Sequence, residues 1–310
     1  MVAPREVDGV LLYRPVESSA EIAWDFTRPK MSVKDAFFPP TERLLAIERI
    51  GQEVRLTETL SEDRPVIFGV RPCDARGLQL LDALFIAAEP ADPYYTRRRE
   101  NATIIGLACQ EMGPNCFCTS VGGAPDDPSG MDILLTQVPD GYALHALSEK
   151  GERLVSGTSW PEFEGILPQA RLNEPIRRTT KETWPARFKD TYWESMSERC
   201  LSCRICAYVC PTCRCFAVRD EALLANGQYE RIRCWDSCAG ENYRRIAGGH
   251  RPRAEKGERL RNRFICKFYY YPEQYGLGEE AACTGCGRCV EACPVNVDII
   301  EVLTDLGRQS

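Results

Sequence analysis

Short apolar runs divided by turn residues dominate the first half of the chain, and helical spacing interrupts them only locally. Pro65 to Val70 is a continuous apolar run of the length a buried strand needs. In the segment Asp74 to Phe85, Leu78, Leu81 and Phe85 recur at helical spacing, joined by Leu80 and Leu84, and Asp74 sits where an N-cap carboxylate would accept from free backbone N–H groups. Asn101 to Ala108 predicts a second buried strand. Met131 to Val138 and Tyr142 to Leu147 flank Pro139-Asp140-Gly141 and predict a hairpin. Leu44, Leu45, Ile47 and Ile50 line one side of a helix predicted over Pro40 to Ile50. The strands and helices together predict an α/β N-terminal domain over residues 1–170. Polar, proline-punctuated sequence from Pro168 to Pro185 reads as a connection. Beyond it, Phe188 to Glu198, Phe216 to Leu224 and Asn242 to Ala247 predict helices in a second domain over 186–310.

Composition narrows the class. Hydrophobic content of 44% and charged content of 27% are ordinary for a folded globular chain, and 310 residues suit two domains. No stretch approaches the length of a transmembrane helix. The net charge of −6 disfavours nucleic acid as a partner. The polar start Met1-Val2-Ala3-Pro4-Arg5-Glu6 leads into no apolar h-region, so a cytoplasmic location is expected. Seventeen cysteines then mean reduced thiols used as ligands.

Eight of those cysteines fall into two matching runs. One is Cys200-x-x-Cys203-x-x-Cys206-x-x-x-Cys210-Pro211; the other is Cys283-x-x-Cys286-x-x-Cys289-x-x-x-Cys293-Pro294. Three thiolates at two-residue gaps wrap one corner of an iron–sulfur cube, and the fourth ligates the other cube in two-cluster ferredoxins. Crosswise pairing assigns Cys200, Cys203, Cys206 and Cys293 to one 4Fe–4S cluster. It assigns Cys283, Cys286, Cys289 and Cys210 to a second. Structural zinc favours separated cysteine pairs, often with histidine, and this chain has only two histidines. The second domain is therefore expected to be a mostly α-helical dicluster ferredoxin-type domain with a long insert at about 211–282.

Nine cysteines remain. Cys73, Cys109, Cys116 and Cys118 fall at the ends of the two predicted strands and just beyond. If those strands are parallel neighbours, their C-terminal ends lie side by side, where ligands collect in open α/β sheets. Two readings stand: a third 4Fe–4S cluster on these four, or four buried structural thiols. Cys213, Cys215, Cys234, Cys238 and Cys266 lie in the insert and read as thiols packed around the clusters. His145 and His250 have no acid or nucleophile at motif spacing. There is no P-loop and no G-x-G-x-x-G, so no flavin or nucleotide is expected on this chain.

The blocks Arg71-Pro72-Cys73-Asp74-Ala75-Arg76-Gly77, Gly106-Leu107-Ala108-Cys109 and Cys116-Phe117-Cys118-Thr119-Ser120-Val121-Gly122-Gly123 resemble one family. It contains the beta subunits of sulfhydrogenases and the A subunit of anaerobic sulfite reductase. Cys210-Pro211-Thr212-Cys213-Arg214-Cys215-Phe216 and Cys234-Trp235-Asp236-Ser237-Cys238 resemble its C-terminal half, and the likeness runs from about Pro65 to Ile300. Related subunits stand beside heterodisulfide-reductase-like complexes. The resemblance implies an electron-transfer subunit of a multisubunit oxidoreductase. Its partners would be a flavoprotein that handles NAD(P)H and a hydrogenase, sulfite reductase or heterodisulfide-reductase-like subunit that holds the catalytic centre. The competing functional reading is thiol or disulfide redox catalysis by the extra cysteines, such as Cys234 and Cys238.

Overall fold

A computed structural model of the protein describes residues 1–176, 179–224, 227–278 and 280–308. Among the described residues ten strands form two sheets. The larger contains β1 (Val2–Val7), β2 (Val10–Pro15), β5 (Val66–Val70), β6 (Thr103–Leu107), β7 (Ile133–Val138) and β8 (Gly141–Ala146), in the order β2-β1-β5-β6-β7-β8. Its interior pairs β1–β5, β5–β6 and β6–β7 are parallel, and the hairpin partners β2 and β8 close the edges antiparallel. Val66 to Val70 and Thr103 to Leu107 are apolar because the sheet is covered, as parallel strands require. The helix Pro72–Phe85 makes the first part of the crossover between β5 and β6. It buries Leu78, Leu81 and Phe85 in a core with Ile67, Ile104 and Tyr95.

The second sheet joins the two halves of the chain. It contains β3 (Thr41–Ile50), β4 (Glu53–Glu58), β9 (Phe216–Ala222) and β10 (Gln228–Trp235), all antiparallel in the order β4-β3-β10-β9. Two predicted helices are thereby corrected. The segment Pro40 to Ile50 is β3 from Thr41 onward, because hydrogen bonding to β4 on one side and β10 on the other outweighs a spacing that also fits a helix. Phe216 to Leu224 is largely β9, paired along its length with β10. Asn242 to Ala247 forms turns. The insert is therefore mixed: beside β9 and β10 it holds the helix Lys256–Ile265, a π-helical turn Cys266–Tyr270 and the short helix Tyr271–Gln274. Of Phe188 to Glu198, only Tyr192–Glu198 is helical. A second core gathers Trp184, Trp193, Phe264, Ile265, Val302 and Leu306 between these helices and the helix Ile299–Arg308.

Asp74 is not an N-cap. The helix starts at Pro72 with Arg71 at its cap, and Asp74 is buried in the first turn. A proline there needs no N–H partner and presets the backbone. Arg233 of β10 clamps the second sheet to the helix Pro93–Asn101, which leads into β6. It is 2% exposed, donates through Nε to Glu42 of β3 at 3.1 Å, and also pairs with Asp92. Arg98 reaches the same Glu42. Removing one partner of such a buried network strands the rest, at about 3–5 kcal/mol. Glu42→Ala is thus expected to lower unfolding stability by about that amount. Denaturant titration monitored by tryptophan fluorescence checks it, and a loss under about 1 kcal/mol would mean the pair behaves like a surface bridge.

Candidate metal centres

The two cysteine runs share one backbone form. Ser202 and Arg204 in the first have left-handed φ of 54° and 68°; Gly285 and Gly287, at the matching places in the second, have 64° and 74°. Each run ends in a short helix, Ile205–Tyr208 and Arg288–Glu291, and these two helices pack together. The first run adopts the left-handed form with ordinary residues, at some cost in strain. The second uses glycine for a reason beyond φ. A Cβ on Gly285 would stand 2.5 Å from the backbone nitrogen of Cys118, and one on Gly287 would stand 2.4 Å from the carbonyl oxygen of Asn115. The second run is pressed against the loop that carries Cys116 and Cys118. Phe117 donates its N–H to the Gly285 carbonyl at 2.8 Å.

Three cysteine-lined cavities result. Cys200, Cys203, Cys206 and Cys293 line the first, with Cys289 at its wall. Cys210, Cys283, Cys286 and Cys289 line the second. Cys73, Cys109, Cys116 and Cys118 line the third, with Gly285 and Cys286 at its wall. The third set meets because β5 and β6 are adjacent and parallel, so Cys73 and Cys109 follow neighbouring strand ends. The cavities are consecutive: Cys286 borders the third and second, and Cys289 borders the second and first. Cys203 is exposed at the outer edge of the first cavity.

Their linings suit anionic clusters. Arg263 lines the first cavity and donates through Nε to Cys206 Sγ at 3.1 Å. Lys267 lines the second and donates to Cys210 Sγ at 3.2 Å. Arg28 lines the third and donates to Cys116 Sγ at 3.1 Å. Buried polar atoms with unmet hydrogen bonds also line them: Thr284 Oγ1 in the second cavity, Arg28 Nε and Arg71 Nε in the third. Without metal, burial pushes the Cys283 thiol up to about 11 and those of Cys118 and Cys289 up to about 12. Loading such thiols as ligands therefore releases protons. Among the described residues, no three His, Cys, Asp or Glu side chains close in on one ion. In a cube each thiolate binds its own iron, so its four ligands stand apart.

Two docking contacts hold the helix Pro72–Phe85 on both runs. Arg288, between Cys286 and Cys289, forms a bidentate pair with Asp74 at 2.8 and 2.7 Å, both residues being buried. At Gly77 an added Cβ would come within 2.6 Å of Pro211, the proline that closes the first run.

The insert thiols divide. Cys213 lies within hydrogen-bonding reach of Cys210. Cys215 lies in the same relation to Cys238, while Cys234 sits in β10 opposite Thr41 and Ala217. Arg214 Nη2 approaches Cys266 Sγ at 3.3 Å. Hydrogen bonds from Cys238 and from the Tyr243 hydroxyl, with the nearby Arg214 charge, outweigh burial and bring the Cys215 thiol down to about 6. Nothing in the sequence marked Tyr243 as a partner of Cys215; the contact depends on the chain turning back after β10.

The 4Fe-4S dicluster domain family matches residues 199–297. The chain is thus a 4Fe–4S iron–sulfur protein of the electron-transfer class. It is 34% identical over 309 residues to the sulfhydrogenase 2 subunit beta of Pyrococcus furiosus, an alignment that covers 95% of this chain and 88% of that relative. The chain belongs to the family of the sulfhydrogenase beta subunits. No solved structure matches it. Among the described residues no helix is long and apolar enough to cross a membrane.

A depressed thiol pKa has a direct readout. Cys215 is a thiolate above about pH 6 and is protonated below it. Its alkylation rate, followed by peptide mass spectrometry, is expected to rise through that pH and level off by neutrality. Tyr243→Phe should move the midpoint upward by removing one donor to the thiolate.

Proposed function

We propose that this chain is the electron relay of a multisubunit cytosolic oxidoreductase. It passes single electrons between a flavin- and NAD(P)H-handling partner and a catalytic or cluster-bearing partner. The name of its relative, a sulfhydrogenase subunit, favours a hydrogenase as that partner over a sulfite reductase or a heterodisulfide-reductase-like subunit. Residues 1–170 and 186–310 are its two domains, bridged by the sheet β4-β3-β10-β9.

One observation carries this reading: the three cysteine-lined cavities share walls, through Cys286 and then Cys289. Bound 4Fe–4S clusters supply one-electron carriers. Cys200, Cys203, Cys206 and Cys293 hold the first and Cys210, Cys283, Cys286 and Cys289 the second. The four thiols Cys73, Cys109, Cys116 and Cys118 hold a third. The chain's own part is to fix these ligands, exclude water with Phe117, Phe264 and Ile299, and set potentials with buried donors. No acid, base or nucleophile is required of it. Cys203, exposed at the outer edge, is the near end of the relay.

Iron analysis of the purified protein tests the count. About twelve irons per chain are expected, falling to about eight in Cys118→Ser with the other two clusters intact by electron paramagnetic resonance. About eight irons in the unaltered chain would remove the third site.

The contact between Cys215 and Cys238 supports a second reading, thiol–disulfide exchange on this chain, with Cys215 in place of Cys234 as the partner of Cys238. Cys238→Ser separates the two. The relay reading expects turnover of the intact complex to stay within about twofold, whereas exchange chemistry loses it by orders of magnitude.

A further inference from the structure

Arg263 and Lys267 are buried cations with no salt bridge to a carboxylate among the described residues, and both come from one helical segment. Arg263 lies in the last turn of the helix Lys256–Ile265 and is 4% exposed; Lys267 lies in the π-helical turn that follows and is 3% exposed. A buried cation without a partner is costly enough that the fold either neutralises it or supplies an anion. The anions here are sulfur. Arg263 donates Nε to Cys206 Sγ at 3.1 Å and Nη2 to the Cys206 carbonyl at 3.2 Å. Lys267 donates to Cys210 Sγ at 3.2 Å and to Thr212 Oγ1 at 2.9 Å. The largest negative charges that reach either cation are cysteines: Cys206, Cys289, Cys213 and Cys210 for Arg263, and Cys210, Cys213 and Cys283 for Lys267.

Arg71, at the third cavity, donates to the Leu107 and Ala108 carbonyls and to no cysteine sulfur; two further cations near the cavities are paired with carboxylates. Arg28 touches Cys116 but is paired with Glu291, and Arg288 is paired with Asp74. Their charge is already answered within the protein. Arg263 and Lys267 are four residues apart, so they share a face of the segment. Yet they serve different cavities, Arg263 the first and Lys267 the second. The turn between them widens into π-helix at Cys266, a form that recurs at functional sites.

We propose that Arg263 and Lys267 set the reduction potentials of the two dicluster cubes, each raising the potential of the cluster in its own cavity. This rests on the reading of the cavities as cluster sites. Reduction adds one electron to a cube, from the donor partner's flavin, and neither makes nor breaks a bond. The added negative charge sits beside a fixed cation in a medium of low dielectric constant, where the attraction is only weakly screened. The reduced form gains more than the oxidised form, and the potential rises. Both residues position charge; neither exchanges an electron or proton.

The test is a redox titration of the cluster-loaded full-length protein, followed by electron paramagnetic resonance with iron quantified first. Lys267→Gln is expected to lower one midpoint by at least a tenfold change in the reduction equilibrium, about 59 mV for one electron, and to leave the other nearly in place. Arg263→Gln is expected to lower the other midpoint by a similar amount. The charge-keeping exchanges Lys267→Arg and Arg263→Lys should stay within half of that shift. Full iron with both midpoints unmoved in the Gln variants would overturn the proposal, as would exchanges that shift as far as Gln. If the Gln variants do not load, the exchanges decide it: normal loading and midpoints support the charge role, and failure to load overturns it. An unaltered chain that shows no 4Fe–4S signal would instead sink the cluster reading itself.

Discussion

Asp74 and Arg288 form a bidentate ion pair with both side chains withdrawn from water. Such a pair contributes little net stability, because desolvation offsets most of the attraction. It gives register. Asp74 follows Cys73 directly, and Arg288 stands between Cys286 and Cys289. Locking the two together sets the distance from the third cavity to the second. Arg288 also donates to the Pro29 carbonyl, and the Tyr13 hydroxyl reaches both Gly69 and Asp74. Burial and the neighbouring Asp74 charge push the Tyr13 hydroxyl well above its ordinary range, so it stays a donor. The pair is held from several sides, and the α/β sheet is thereby tied to the C-terminal cysteine run.

The cysteine runs and the parallel strands were legible because each is local. Ligand spacing lies within eleven residues, and a buried parallel strand is a simple apolar run. β3 is misread as a helix for the opposite reason. The spacing of Leu44, Ile47 and Ile50 fits a helix as well as a strand, and what decides between them is β10, far along the chain. A local signal for the β3–β4 hairpin was present all the same: Gly51-Gln52 lies between the paired Ile50 and Glu53, with Gly51 left-handed. Arg263, Lys267 and Arg28 could not be singled out from sequence, since nothing local separates a buried arginine from a solvated one. Asp74 in a first turn looks like any capping carboxylate until Arg288 arrives from the other end of the chain.

The paired runs have diverged where their surroundings differ. Ser202 and Arg204 tolerate left-handed backbone because the first run faces outward, with Leu201 63% exposed. The second run turns inward onto Cys116 to Cys118, and there only glycine fits the space. One motif thus presents an open edge and the other a packed one. This asymmetry gives a relay a direction in space, with one end at the surface and the other inside the α/β layer.

The sheet β4-β3-β10-β9 has a bearing on synthesis. β3 emerges from the ribosome early, but its partner β10 begins at Gln228, after the whole of the larger sheet and the first cysteine run have been made. The first cavity waits longer still, for Cys293. Until then β3 has one bare edge, and the first run is an unfinished cage of reactive thiols. Delivery of iron and sulfide to the first two cavities is therefore a late event in the life of each molecule, made to a chain whose scaffold is nearly complete. A ribosome that stalls in the insert would release a product with the thiols of the first run gathered and no means of closing them.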